Sequence, residues 1–296
     1  MEALIAEFNQ MVAKGGPAPS DYDQVQQFMN TFADLAKKKN LPKNSLPELW
    51  NTFGEVFSVK TLQGHVCQKP YGYAGDFEII DKIYQSRTSS DPFLRNWDKF
   101  FHTLKAPQAV RNRKGYFKSL LSTLEREVKG RDLNVLNIGS GPARDLYEYC
   151  VENPGTRINF DNVDQDEKAI KFAKALCSDY LNRITFHKRN ALRFKPQKEY
   201  DLIWSAGLFD YMNDRLFKFL INRYKRFLKN GGVLVIGNFS TRNPSRGCME
   251  FGQWHLIHRS EKHLMSLALG CGIDKSKISI ACEPEGINLF LHIKND

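Results

Sequence analysis

The sequence predicts an α/β fold, with a doubly wound domain over residues 131–296 preceded by a helical region over 1–130. Three observations carry this expectation. Before residue 130, apolar residues recur at helical spacing. After it, short apolar runs alternate with amphipathic stretches, as βαβ units around a parallel sheet require. The last two apolar runs, 277–283 and 287–293, flank Pro-Glu-Gly and read as a hairpin, so an antiparallel strand closes the sheet.

Taken in order, Leu4, Ile5, Phe8, Met11 and Val12 share one face of a first helix. Val25, Phe28, Met29, Phe32 and Leu35 form the stripe of a second, and Leu49, Trp50, Phe53 and Val56 that of a third over 47–57. Pro17, Pro19, Pro42 and Pro47 punctuate these segments as helix-starting or loop residues do. A longer helix is expected over 109–129, ended by Gly130. Strands follow at 133–139, 157–164, 183–190, 200–207 and 231–240, with helices at 143–152, 166–181 and 215–229. In the last helix Phe217, Leu220, Ile221, Tyr224, Phe227 and Leu228 make the core face, which leaves Arg215, Lys218, Lys225 and Lys229 on the other.

Composition narrows the function classes. With 42% hydrophobic and 26% charged residues among 296, the chain can bury a core, which excludes wholesale disorder. No run approaches the ~18 apolar residues of a membrane span. The first residues carry Glu2 and Glu7 and lack the basic start of a signal peptide, so a soluble, cytoplasmic protein is expected. Six scattered cysteines without CxxC or metal-ligand spacing read as reduced, buried thiols, and no metal site is expected. The net charge is +10, and the stretches 183–198 and 215–229 each hold six basic residues and no acid. Such stretches either attract anionic ligands or are solvated faces.

The sharpest chemical signal is NVLNIGSGPARDL at 134–146. A strand ends at Gly139, turns through Ser140 and Gly141, and enters a helix whose first N–H groups are unpaired. A dinucleotide fingerprint would need a third glycine where this chain has Arg144, which weakens a nicotinamide or flavin reading. Asp164, followed by Gln165, ends the second strand, where a carboxylate can accept from both ribose hydroxyls. Asn190 and Ala191 follow the third strand, where an amide can meet an adenine edge. Ser205, Ala206 and Gly207 end the fourth. Four strand ends therefore converge on one adenosine-shaped site at the carboxyl edge of the sheet.

On these residues the chain resembles the class I S-adenosylmethionine-dependent methyltransferases over about 131–296. The resemblance implies a seven-stranded sheet with an antiparallel last strand and S-adenosyl-L-methionine as cofactor. It maps the glycine motif onto Gly139, Ser140 and Gly141, the ribose acid onto Asp164 and the adenine-side residue onto Asn190. Asn137 stands where the family has an acid, and Ala143 where it has a third glycine. An amide at 137 can hydrogen-bond the methionine part but cannot neutralise its ammonium.

A narrower resemblance rests on KPYGYAGDFEIIDKIY (69–84), AVRNRKGYF (109–117), GLFDYM (207–212) and GNFSTRNPSRGCMEFGQWHLIHR (237–259). These are similar to a bacterial group that includes the enzymes making methyl esters of 3-hydroxy fatty acids. The resemblance implies carboxyl O-methylation of a small or acyl substrate, which an acidic acyl-carrier protein would present. Tyr71, Tyr73, Asp76 and Phe77 suit a loop closing over a cofactor. Arg111 or Arg113 can pair with the cofactor's carboxylate. His255, His258 and Arg259 are expected where an acceptor sits. Tyr73, Tyr211 and Arg259 would orient a carboxylate, and His255 becomes the base if the acceptor must lose a proton. Two rival readings stay open. A nucleic-acid methyltransferase would suit the basic stretches, but the fourth strand ends in SAGLFD rather than [DN]PP[YF]. A non-catalytic binding subunit would suit Asn137 and Ala143.

Overall fold

The expected strands form one seven-stranded sheet: β1 (Leu133–Ile138), β2 (Ile158–Asp164), β3 (Ile184–Lys188), β4 (Tyr200–Ser205), β5 (Leu228–Phe239), β6 (Ile278–Cys282) and β7 (Asn288–Lys294). Their order is β3-β2-β1-β4-β5-β7-β6. The first five are mutually parallel, and β7 runs antiparallel to both β5 and β6. The final hairpin thus closes the sheet as the Pro-Glu-Gly turn suggests. This computed structural model describes residues 2–38, 42, 44–128 and 130–296. Among them no helix is long and apolar enough to cross a membrane.

Contacts divide the chain into two units, and the sheet lies wholly in the second, Ala109–Arg242 with Leu256–Asp296. Adjacent strand residues face opposite ways, so the sheet buries both sides. Leu136, Ile203 and Leu234 join Phe217, Leu220 and Ile221 of the helix Asp214–Tyr224 on one side. Val135, Leu202 and Val235 join Phe117, Leu121 and Leu146 on the other. Helices Arg144–Glu152, Glu167–Leu176 and Asp214–Tyr224 carry the crossovers β1→β2, β2→β3 and β4→β5. The β3→β4 crossover, residues 189–199, contains no helix.

The first unit is Met1–Gln108 with Asn243–His255. Phe8, Phe28, Phe53, Phe57, Trp97 and Phe251 make an aromatic core, with Phe8 and Phe28 stacked at 4.3 Å between ring centres. The stripe Val25, Phe28, Met29 and Phe32 is buried as expected, and Leu35 is half-buried. The change of character expected near residue 130 falls inside the second unit, just before β1. The helix expected over 109–129 runs over Lys105–Glu127, and Lys129 lies outside the described residues.

Three elements differ from the sequence expectation. The third helix ends at Thr52, because Gly54 takes φ +59 and the chain continues as the 3-10 turn Gly54–Phe57. The helix expected over 166–181 stops at Leu176, with a 3-10 turn at Ser178–Tyr180. The helix expected over 215–229 stops at Tyr224, and Leu228 already pairs with Tyr200 in the sheet. Five cysteines are buried, whereas Cys282 is exposed.

Candidate functional site

β1 is an inner strand, flanked by β2 and β4, so its carboxyl end sits among neighbouring strand ends. Gly139 and Gly141 take φ +66 and +53, the left-handed region that side chains resist. The bend is pinned from below by Val163, whose carbonyl accepts from the N–H groups of Gly139 and Ser140 at 2.8 and 3.2 Å. A Cβ at Gly139 would sit 3.1 Å from the Leu208 side chain, so the turn beyond β4 packs against the bend. A Cβ at Gly141 would meet nothing within 4 Å, so this backbone faces open space.

Asp164 ties the bend to β2. Its carboxylate accepts from the N–H of Gly141 and of Asp166, both at 2.9 Å. The Gln165 N–H also contributes, and because a carboxylate offers about four acceptor positions, capacity remains for a ligand. Burial pushes its pKa up, and the backbone donors partly oppose this. Asn190 donates to Gln165 at 2.8 Å, which brings those two expected residues together at the ends of β2 and β3. Arg189 N–H bonds the Asp164 carbonyl at 2.9 Å, and Ala191 follows in the same turn. Ser205 Oγ donates to the Ile138 carbonyl at 2.9 Å, joining the ends of β4 and β1. Asn137 is buried in register with Asn162 and Trp204. Ser140 Oγ and both side-chain polar atoms of Asn162 are buried without a hydrogen-bond partner in the chain. Unpaired buried polar atoms beside an open glycine turn are what a polar ligand would satisfy.

Arg113 is buried beside Gly207, with Nη1 2.8 Å from where a Cβ on that glycine would sit. Arg111 is half-buried, and burial lowers its pKa. Two carboxyls that the sequence reading missed feel the Arg113 charge. Burial lifts Asp145 to about 6 and Asp210 to about 7, against the pull of that guanidinium. Both lie inside quoted motifs, but only their burial distinguishes them from surface acids. Ala206 is buried, whereas Tyr211 is exposed just beyond β4.

Arg259 departs from the expectation that it meets an acceptor. It is fully buried, and all five of its N–H donors are taken. They reach Asp214 twice, at 3.0 and 3.2 Å, Asn238 Oδ1 at 2.7 Å, and the carbonyls of Phe209 and Met212. Its plane also lies 4.7 Å from the Phe217 ring centre. It is a structural clamp with no donor left for a substrate. His258 is half-buried, its Nδ1 3.2 Å from the Leu256 carbonyl.

The remaining expected residues belong to the first unit. Tyr71 donates to Glu78 at 2.7 Å, Tyr73 is exposed, and His255 is exposed. Asp76 is fully buried, caps the helix Phe77–Tyr84 through the N–H groups of Glu78 and Ile79, and holds His65 Nε2 at 2.9 Å. The sequence reading missed His65, eleven residues away, because no local pattern marks it.

Comparison with known proteins fits this geometry. A family profile described as "methyltransferase domain" matches residues 129–280, just over half of the chain. Two curated relatives come from Ilyobacter polytropus. Malonyl-[acyl-carrier protein] O-methyltransferase 2 is 29% identical over 106 residues, 36% of this chain and 39% of the relative. Malonyl-[acyl-carrier protein] O-methyltransferase 1 is 26% identical over 127 residues, 42% of this chain and 46% of the relative. The chain therefore spans less than half the length of either. Among solved structures, that of a possible exported protein from Bordetella parapertussis superposes with a TM-score of 0.63 at 17% identity. It covers 99% of this chain and 95% of its own. Magnesium protoporphyrin IX methyltransferase of Synechocystis PCC 6803 with bound SAH superposes at 0.50 and 12% identity, covering 65% and 88%. These likenesses establish a shared fold.

Proposed function

Because the chain belongs to the methyltransferase-domain family, we propose that it is an S-adenosylmethionine-dependent methyltransferase that esterifies a carboxylate on a small or acyl acceptor. The observation that carries the proposal is the Asp164 carboxylate fixed to the Gly141 backbone, beside a glycine turn that faces open space. Asp164 would hold the ribose, Asn190 and Gln165 the adenine side, and Gly139, Ser140 and Asn137 the amino-acid part. Ser205, Ala206 and Gly207 would form the floor. Arg113, beside Gly207, is the better placed of the two arginines to meet a carboxylate. When bound, S-adenosylmethionine supplies a methyl group on a positively charged sulfur.

The chain's own contribution is then position and dryness. A carboxylate acceptor is already ionised at neutral pH and needs no base. Tyr211 and Tyr73 are proposed to orient it, and His255 is dispensable unless the acceptor must lose a proton. In this proposal residues 131–296, with Arg113 from the preceding helix, hold the cofactor, and residues 1–108 with 243–255 form a separate unit. The names of the Ilyobacter relatives support an acyl-carrier protein as the presenter of the substrate.

Calorimetry tests the reading. S-adenosylhomocysteine should bind the unaltered chain at one site, and Asp164→Ala should weaken it about 10–100-fold, the worth of lost hydrogen bonds to a charged group. Undetectable binding to the unaltered chain would favour the non-catalytic alternative. His255→Ala should lower methyl transfer only modestly; a loss of about 10²–10⁴-fold would instead assign it as a general base.

A further inference from the structure

The two basic stretches have different fates. On the helix Asp214–Tyr224 and just beyond it, three of the six basic residues are used by the fold. Arg223 clamps the Phe194 carbonyl, Lys225 reaches the Cys271 carbonyl, and Lys229 pairs with Asp201. The stretch 183–198 is different, because its crossover contains no helix. A cavity of about 700 Å³ opens there, within the range of small-molecule sites. It shares no lining residue with the glycine–Asp164 cradle.

Five cations line this cavity: Lys188, Arg189, Arg193, Lys195 and Lys198. Two carboxylates answer them. Asp161, at the base, accepts from His187 at 2.8 Å, Tyr200 at 3.1 Å and Lys198 at 2.8 Å, while Glu167 pairs with Lys188. That leaves a surplus of three positive charges around one concavity. Among the described residues Arg193 and Lys195 form no ion pair, and both are exposed. The base is rigid by contrast, since Asp161 is buried and multiply bonded.

We propose that this cavity is a second ligand site, one that takes a small molecule carrying clustered phosphate groups. A phosphoryl group carries about −1.5 to −2 charges at neutral pH, so two of them match the surplus. The guanidinium of Arg193 suits phosphate oxygens bidentately, and the flexible lysine at 195 supplies a point charge. The site is distinct from the one in the methyltransferase reading, because no side chain that lines it is assigned to the cofactor, although the backbone of Arg189 bonds the Asp164 carbonyl.

Calorimetry of the full chain with inorganic pyrophosphate, repeated at rising sodium chloride, tests this. Saturable one-site binding is expected, weakening with salt. R193A/K195A should weaken it about a hundredfold, about tenfold for each charge-assisted contact. These positions are exposed, so the variant should melt as the unaltered chain does. R215A/K218A should bind pyrophosphate unchanged, and excess S-adenosylhomocysteine should not compete. The proposal is overturned if pyrophosphate does not saturate, if R193A/K195A binds as tightly as the unaltered chain, or if R215A/K218A loses as much. It is equally overturned if single-stranded RNA binds and pyrophosphate does not.

Discussion

At the scale of single residues, Asp210 shows how burial makes a charge sensitive to pH. Its Oδ1 accepts from the Phe239 N–H at 2.7 Å, and burial holds its pKa at about 7 despite the nearby arginines. An unfolded aspartate titrates near ~3.9, so between there and about 7 the native protein binds the extra proton. Stability from this group is therefore present below that interval and falls as pH rises through it, by about 1.4 kcal/mol per pH unit at most. Asp98 and Asp145, each lifted to about 6 by burial, act in the same direction; His292, lowered to about 4, acts in the opposite one. Asp210→Asn keeps an acceptor for Phe239 and removes one titration. Urea midpoints from pH 4.5 to 7.5 should fall less steeply in that variant, and identical slopes would contradict the assignment. Gly141→Ala tests the cradle separately. Its Cβ meets no atom, so the expected stability loss is only the ~1 kcal/mol of a left-handed alanine, while cofactor affinity should fall. Asp164 was legible because a strand end followed by an acid has a fixed place in this topology. The role of Arg259 was not, because a sequence displays a charge but not the partners that occupy it.

Among the elements, Arg259 joins three parts of the second unit through one side chain. It binds the turn after β4 at Phe209 and Met212, β5 at Asn238, and the helix start at Asp214. Arg259→Ala would strand Asn238 and two carbonyls, so a loss of about 3 kcal/mol is expected from urea denaturation, since each buried acceptor left unpaired costs about 1–3 kcal/mol. A loss below about 1 kcal/mol would show that the clamp is dispensable. Element positions were mostly readable, because periodicity of 2 and 3.6 separates strand from helix. The failures have specific causes. At 47–57 the apolar stripe continues past Gly54, but its positive φ ends the helix. At 215–229 Leu228 has helical spacing from Tyr224, yet the sheet claims it through its ladder with Tyr200. Tertiary pairing outweighs local pattern in that case.

For the molecule as a whole, the least legible feature is that Asn243–His255 belongs with the N-terminal helices. No local pattern could announce this, because the contacts join residues about two hundred positions apart. The helix Arg246–Phe251 brings Phe251 to ring-centre distances of 5.7 Å from Phe57, 6.1 Å from Phe28 and 6.2 Å from Trp50. Gly247 lies so close to Asn30 that a Cβ would fall 2.1 Å from its Oδ1. The aromatic core of the first unit is therefore completed by a segment that the chain reaches only after making five strands of the sheet. A fragment of residues 1–108 would lack that closing ring, and losing a buried phenylalanine alone costs about 3–5 kcal/mol, a large part of a typical domain's stability. The fragment should keep far-ultraviolet helical signal but lose near-ultraviolet aromatic dichroism and bind the dye ANS, as loosely packed states do. Phe251→Ala in the full chain should weaken the same unit without touching the sheet, which hydrogen exchange would localise to the N-terminal helices. A fragment that melts cooperatively with native-like aromatic dichroism would refute the idea that folding of the first unit waits on the distant segment.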